Sequence, residues 1–332
     1  MKPAEATNQV GVVVLNYNCH DFLETCIQSV LDQTYKGIAI WIVDNGSTDD
    51  SVELVRNRFA DLPLIEIKSN RGFAAMNIGT KAALQNGCKY VFYLDSDAEL
   101  EPEAVERLVG YLERHGNCGI AGPQHFRYPG GKPYFIGGWV DVRTAWATWV
   151  GTASAPTDFD FVGNALVRRE VLEQIEFDEQ FFTYYADVDF CVRAKALGYK
   201  VTGVPSARMH SFQGLSSSTI PGLRGYVNGR NRLIFVAKHT PRHFVLVAIG
   251  LMALISGLRF GSWALKGQIR EAAFVLIGFT SGFLMLVAKK EPSTWRDLAI
   301  RGLGNRIQIS EVVQRGGGDL SSMTTFRRDR QK

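Results

Sequence analysis

Asp95 and Asp97 stand one residue apart at the end of Tyr90-Val91-Phe92-Tyr93-Leu94, a short apolar run rich in β-formers. Such a run reads as a buried strand, and it places both carboxylates at the carboxyl end, where open α/β sheets bind their ligands. Hard oxygen donors so placed suit Mg²⁺ or Mn²⁺, which bind through one or two carboxylates together with substrate phosphates. The competing reading is a polar strand end that caps the next helix, because Glu99, Pro102 and Glu103 look like a helix start.

Three further polar clusters follow the same layout. Asn16-Tyr17-Asn18 ends the apolar run from Val10, and Asp44-Asn45-Gly46-Ser47-Thr48-Asp49-Asp50 ends the run from Ile38. A tyrosine ring and a carboxylate at one sheet edge can stack on a nucleobase and accept its N–H. Ser47–Asp50 also reads as a turn with a helix cap, which is the reading adopted for Asp49, whereas Asp44 lies directly at the strand end. The loop Asn70-Arg71-Gly72 then feeds a helix. Gly72 permits close backbone approach and Arg71 can reach a phosphate.

These residues need a scaffold, and the pattern supplies one. Apolar runs at Val10–Leu15, Ile38–Val43, Leu64–Ile67, Tyr90–Leu94 and Gly119–Ala121 alternate with helical periodicity over His20–Gln33, Asp49–Phe59, Ala74–Asn86 and Glu103–His115. That alternation predicts an α/β fold with a mostly parallel sheet flanked by helices. With 332 residues, 46% of them hydrophobic, the chain has ample core, and a net charge of +4 is too small to argue for nucleic acid. Five cysteines without Cys-x-x-Cys spacing read as free thiols of a reducing compartment. The polar start Met1–Gln9 is no signal sequence, so the catalytic part is expected to face the cytoplasm. Phe126–Val150, rich in Gly and aromatic residues, reads as a hairpin or as a flap over a cleft.

Together the segments resemble the family-2 glycosyltransferases, inverting enzymes of the GT-A fold, over about Val10 to Lys238. The likeness is carried by Leu15-Asn16-Tyr17-Asn18, Asp44-Asn45-Gly46-Ser47-Thr48-Asp49, Asn70-Arg71-Gly72-Phe73-Ala74, Leu94-Asp95-Ser96-Asp97, Phe161–Arg169, Phe177–Phe182 and Tyr185–Arg193. Within the family it looks closest to the bacterial rhamnosyltransferase-like branch that builds surface polysaccharides. The resemblance implies a donor of the UDP- or dTDP-sugar type held by Tyr17, Asn18, Asp44, Asn70, Arg71, Gly72, Asp95 and Ser96. It implies a divalent cation on Asp97, with Asp95 and His210, and Asp187 as the base for a hydroxyl of a glycan or lipid-linked acceptor. Rhamnose is one candidate sugar.

One departure is Ala186, where the family usually has Glu before the catalytic Asp. Asp189, with Arg193 one helical turn on, reads as a local salt bridge and not as the base. His210, Gly214 and Ser216 keep the outline of a family metal or diphosphate contact, against the plainer reading of a surface histidine. Arg224, Arg230 and Arg232 are candidates for phosphates or lipid headgroups. A nucleotidyltransferase would need a Gly-rich basic triphosphate loop, and Asn16–His20 offers none. A processive synthase would need a Gln-x-x-Arg-Trp motif after Asp187, which is missing. A catalytically impaired, carbohydrate-binding scaffold remains as an alternative because of Ala186.

Past residue 240 the composition changes. Phe244–Leu258 and Ala272–Ala288 are uncharged apolar stretches, with cations at Arg242, Arg259, Lys266, Arg270, Lys289 and Lys290. They read as a hairpin that spans or lies on a membrane, placing the protein on the cytoplasmic face of the inner or plasma membrane. The expected organisation is a catalytic domain over 1–240, an apolar hairpin over 241–290 and a basic tail over 291–332. Whether copies associate into a homo-oligomer is left open.

Overall fold

The computed structural model describes residues 10–128, 131–212 and 223–288, so the basic tail, Gly214 and Ser216 lie outside the described residues. The first half is built from β1 (Val10–Asn16), α1 (His20–Leu31), β2 (Ile38–Asp44), α2 (Ser51–Arg58), β3 (Leu64–Glu66), α3 (Met76–Gln85) and β4 (Tyr90–Asp95). The four strands are parallel and neighbours in the order β4-β1-β2-β3. Parallel strands covered on both faces need continuous apolar runs, and Val10, Val12, Val13 and Val14 are all fully buried. The register pairs Asn16 with Asp44 and Leu15 with Asp95, so the polar ends of three strands share one edge.

The sheet then widens with β5 (Ala98–Leu100), α4 (Ala104–Arg114), β6 (Cys118–Arg127), β7 (Pro133–Phe135), β8 (Gly137–Asp141), β9 (Trp146–Val150), β10 (Thr157–Phe159), β11 (Leu166–Arg168), α5 (Arg169–Leu172), α6 (Ala186–Ala196) and β12 (Lys200–Ser211). The full order is β10-β12-β6-β11-β4-β1-β2-β3, with β11 antiparallel to both neighbours. Two apolar layers cover its faces, one of them built around α1 and α4 and the other around α3, α6, Phe159 and Phe161. The mostly parallel α/β sheet is as expected. β12 runs on past the expected end at Val204, because its pairing with β6 slips between Val204 and Arg208, where Pro205 lacks a donor, and then resumes to Ser211. α4 begins at Ala104, as the expected helix over Glu103–His115 has it, and β5 lies between it and Asp97, so neither carboxylate caps α4.

The chain ends in α7 (Leu223–His239), α8 (Val245–Leu265) and α9 (Ile269–Ala288). The last two form the expected apolar hairpin, turning at Gly267 with a φ of 72°. Arg259 and Arg270 lie inside these helices and not in the connecting loop, which is only 266–268. The spans Arg242–Leu265 and Ile269–Val287, 24 and 19 residues with mean hydropathy 2.1 and 1.6, are long and apolar enough to cross a bilayer. α7 crosses α9 at glycines on both sides: a Cβ on Gly278 would lie 2.2 Å from the Tyr226 carbonyl oxygen, and one on Gly282 2.7 Å from that of Arg230. Such close contact is how small residues let helix backbones approach.

Gly79 sets the depth at which α3 lies on the sheet, since a Cβ there would meet Val13 Cγ1 at 2.6 Å and Val43 Cγ2 at 3.0 Å. Gly79→Ala gains about 1 kcal/mol in helix propensity. Overpacking a core costs roughly 1–3 kcal/mol, and both clashing methyls belong to buried strands. Denaturant unfolding should show a net loss of stability; a gain would mean that α3 can lift from the sheet.

Candidate active site

The turn between β4 and β5 carries Asp95, Ser96 and Asp97 and is tied down at three points. The Ser96 amide donates to the Leu15 carbonyl at 3.2 Å, the Phe212 amide to the Asp97 carbonyl at 3.1 Å, and the Asp95 amide to Asn164 Oδ1 at 2.8 Å. Asn164 Nδ2 also donates to Asp95 Oδ2 at 3.1 Å, from a residue held at a φ of 46°. Burial pushes both carboxyls above the usual carboxylate range, and Asp95 raises Asp97 further. Two like charges fastened in one pocket form a site that a cation would relieve. One or two carboxylates plus donor phosphates and water suffice for Mg²⁺ or Mn²⁺, so this pair fits the ion. Among the described residues no third Asp, Glu, His or Cys completes a protein-only cage.

His210 is not part of that pair. On β12 its side chain meets Glu101, with Nε2 3.3 Å from Oε1, and lies against the Phe126 ring. Alternation along a strand sends neighbours to opposite faces: Ser211 bonds to Tyr134, and it is Tyr134 that feels the charges of Asp97 and Asp95. The expectation of His210 as a metal ligand is thereby corrected. Ser96 is also withdrawn from ligand contact: it is buried, and its hydroxyl meets the Cys19 thiol, itself held protonated by burial and by Asp97.

The neighbouring edge is a lattice of loop contacts. Asp44 Oδ1 accepts from the amides of Gly46 and Ser47 at 3.2 and 2.9 Å, and Oδ2 accepts from Asn16 Nδ2 at 2.9 Å. Asn18 Oδ1 accepts from the Thr48 amide at 2.7 Å, and Asp49 Oδ2 accepts from the His20 amide at 3.1 Å, joining the first two loops. Asn45, which carried no expected role, holds the third: its Oδ1 accepts from the Arg71 amide at 2.8 Å, and its Nδ2 donates to Asn70 Oδ1 at 3.0 Å. Tyr17 bonds to Asn70, and burial together with Asp44 and Asp49 keeps its phenol protonated. Tyr17, Asn18, Asp44 and Asn70 therefore come together. Arg71 turns away from them to an exposed ion pair with Glu179. Gly72, at a φ of 62°, is needed for a different approach from the one expected: a Cβ would lie 1.8 Å from the Phe182 carbonyl oxygen, which accepts from the Phe73 amide at 2.9 Å.

That contact carries the chain to Asp187, in the first turn of α6. Tyr184 and Tyr185 precede it with φ values of 38° and 68°, a costly conformation for aromatic residues that the surroundings must hold. Burial raises the Asp187 carboxyl to about 6, opposed by the amides of Val188 and Asp187 and aided by the charge of Asp95. A base poised near neutrality fits proton abstraction. Asp189 has the opposite environment. Fully buried, it pairs with Arg193, Lys238 and His239 at 2.7–2.8 Å, and although burial alone would raise it, these partners hold it below the usual range. Arg230 and Arg232, expected to be free for phosphates or lipid, are 7% and 8% exposed and point inward. Arg230 reaches the Gln180 carbonyl, and Arg232 reaches the Tyr185 hydroxyl and the Trp146 ring.

The glycine- and Trp-rich segment forms the hairpin β8–β9, and it is pinned in place. Val140 donates to Asp160, the Tyr185 hydroxyl to the Ala145 carbonyl, and the Thr240 hydroxyl to that of Val142. The expectation of a closing flap gives way to a fixed wall that leaves Trp139, Trp146 and Trp149 about half exposed.

Known proteins agree with this architecture. *Staphylococcus aureus* TarS 1-349 in complex with UDP superposes with a TM-score of 0.54 at 15% identity, over 94% of this chain and 93% of that one. The N-acetylglucosaminyl-diphospho-decaprenol L-rhamnosyltransferase of *Mycobacterium tuberculosis* is 24% identical over 261 residues, covering 70% of this chain and 85% of that protein. The chondroitin synthase of *Escherichia coli* is 35% identical over 99 residues, 29% of this chain. This chain spans only 14% of that synthase's length, so the likeness there is to one segment of a larger protein. The profile of Glycosyl transferase family 2 matches residues 11–176, half of the sequence, and the chain belongs to that family.

Proposed function

We propose that the protein transfers a sugar from a pyrimidine nucleotide-diphosphate donor, of UDP or dTDP type, to a hydroxyl of a glycan or lipid-linked acceptor. The observation that carries the reading is electrostatic: the Asp187 carboxyl feels the charge of Asp95, so the base lies within electrostatic reach of the paired carboxylates. In this reading Tyr17 and Asp44 face the base of the nucleotide, and Asp95 and Asp97 would hold a divalent ion. That ion, when bound, supplies positive charge to the diphosphate as it leaves. Asp187 accepts the proton of the acceptor hydroxyl while its oxygen attacks the anomeric carbon from the side opposite the diphosphate. The C1–O bond to the nucleotide breaks as the new C1–O bond forms, and the sugar's configuration inverts. The printed name of the mycobacterial relative supports rhamnose and a lipid-diphosphate acceptor as the first candidates to test. The apolar helices support work at a membrane surface, and the cytoplasmic side is part of the same proposal.

A panel of UDP- and dTDP-sugars, assayed with and without Mn²⁺, tests the donor. With the selected donor, Asp187→Asn should lower turnover by about 10²-fold or more while nucleotide binding survives. In the wild type kcat/KM should rise with pH through a midpoint near 6 and level off above it, because only the ionised Asp187 accepts the proton. Asp189→Asn should instead destabilise the fold, by roughly 3–5 kcal/mol as for other broken buried pairs. The reverse pattern between these two variants would move the base to Asp189.

The metal reading is testable without turnover. Raised carboxyls make the folded protein bind more protons than the unfolded chain, so Asp95 and Asp97 weaken stability as pH climbs through their folded-state titration. Mn²⁺ should restore it, giving a thermal shift that is full at neutral and higher pH, fades on acidification and is lost in Asp97→Asn. An unchanged shift in that variant places the ion elsewhere.

The full chain should sediment with membranes and require detergent for release. α8 alone leaves Leu246, Val247, Leu254, Leu258 and Leu265 60–91% exposed. Salt screens charge but does not reverse apolar insertion, so high salt should fail to extract it. A monodisperse protein without detergent would make these helices an interface between protein surfaces.

A further inference from the structure

One helix, α7, holds the segment around Asp187 at several points on both sides of that residue. Asn231 is fully buried, and its Nδ2 donates to the carbonyls of Thr183 and Tyr184, the latter at 2.7 Å. Its Oδ1 accepts from Arg230, which also donates to the Gln180 carbonyl at 2.7 Å. Arg232 Nε meets the Tyr185 hydroxyl at 3.0 Å. Two turns further along, His239 Nε2 lies 2.7 Å from Asp189 Oδ1. The contacts therefore bracket Asp187 on both sides, before it at the two tyrosines with positive φ and after it on α6. Left alone, that backbone would relax toward ordinary dihedrals and carry the carboxylate with it.

We propose that α7 is the positioning element of the catalytic base, with Asn231 clamping the strained loop in front of Asp187 and His239 anchoring the helix behind it. The proposal rests on the reading of Asp187 as the base. Neither residue need touch substrate, since a misplacement on the order of 1 Å costs about 10²-fold in rate. α7 is itself seated on the apolar helix α9 at Gly278 and Gly282, with Gly282 directly against the Arg230 backbone. The clamp thus stands on the hairpin proposed to meet the membrane.

Asn231→Asp keeps shape but replaces the two donated bonds by an acceptor facing two carbonyls. In the full-length protein, with the donor chosen by the panel, kcat should fall by about 10-fold to 10²-fold. KM for the donor and calorimetric affinity for UDP or dTDP should stay within about twofold. His239→Leu should act in the same direction and His239→Gln, which retains a side-chain N–H donor, should recover most of the loss; this pair serves if Asn231→Asp fails to fold. An independent reading comes from a ¹³C carboxyl titration of Asp187, which needs no turnover. Its midpoint, near 6 in the wild type, should drop toward the ordinary carboxylate range as the loop loosens. If the titration shifts but no donor is ever turned over, the positioning stands and the glycosyltransfer reading falls. If the folded variants keep both kcat and the Asp187 midpoint while losing only thermal stability, α7 is a structural brace and the proposal is overturned.

Discussion

The parallel register of β1, β2 and β4 is the constraint on which the rest of the molecule depends. Pairing Asn16 with Asp44 and Leu15 with Asp95 brings three polar loops to one edge, and a one-residue slip would turn their side chains to the wrong face. Everything at the site is fastened to that edge. Asn164 arrives from the segment before β11 to hold Asp95, and Asn45 gathers the loop at Asn70. The Gly72 backbone then leans on Phe182, which leads directly to the loop before Asp187.

Electrostatics divide the labour among the aspartates. Asp189 is surrounded by cations and is fixed as an ion. Among the described residues Asp95, Asp97 and Asp187 have no such partners, and burial lifts all three, leaving one group suited to taking a proton and a pair suited to a cation. Environment, not residue type, assigns the roles. Ala186 is buried against the core at the start of α6. Near it, Trp146 of the hairpin is about half exposed and packs on Arg232.

The strands and the loops at their ends were legible in the sequence because each apolar run stops abruptly at a polar cluster, a signal local to a few residues. The separation of Asp187 from Asp189 was legible for the same reason, since Arg193 lies one turn away. What escaped were contacts between distant segments. Nothing near Gly72 announces Phe182, and nothing near His210 announces Glu101, whose position follows from β5 pairing with β12. Arg230 and Arg232 read as candidates for phosphates or lipid headgroups, and Asn231 carried no expected role; only the fold turns all three inward. α7, which ends just before the boundary expected at 240, packs across it onto α9.

The stereochemistry of the product tests the central claim most directly. Proton NMR of the new glycosidic linkage, compared with the anomeric configuration of the sugar nucleotide supplied, distinguishes one displacement from two. A single attack assisted by Asp187, with no covalent intermediate on the enzyme, requires inversion at the anomeric carbon. A product that retains the donor's configuration would contradict the account.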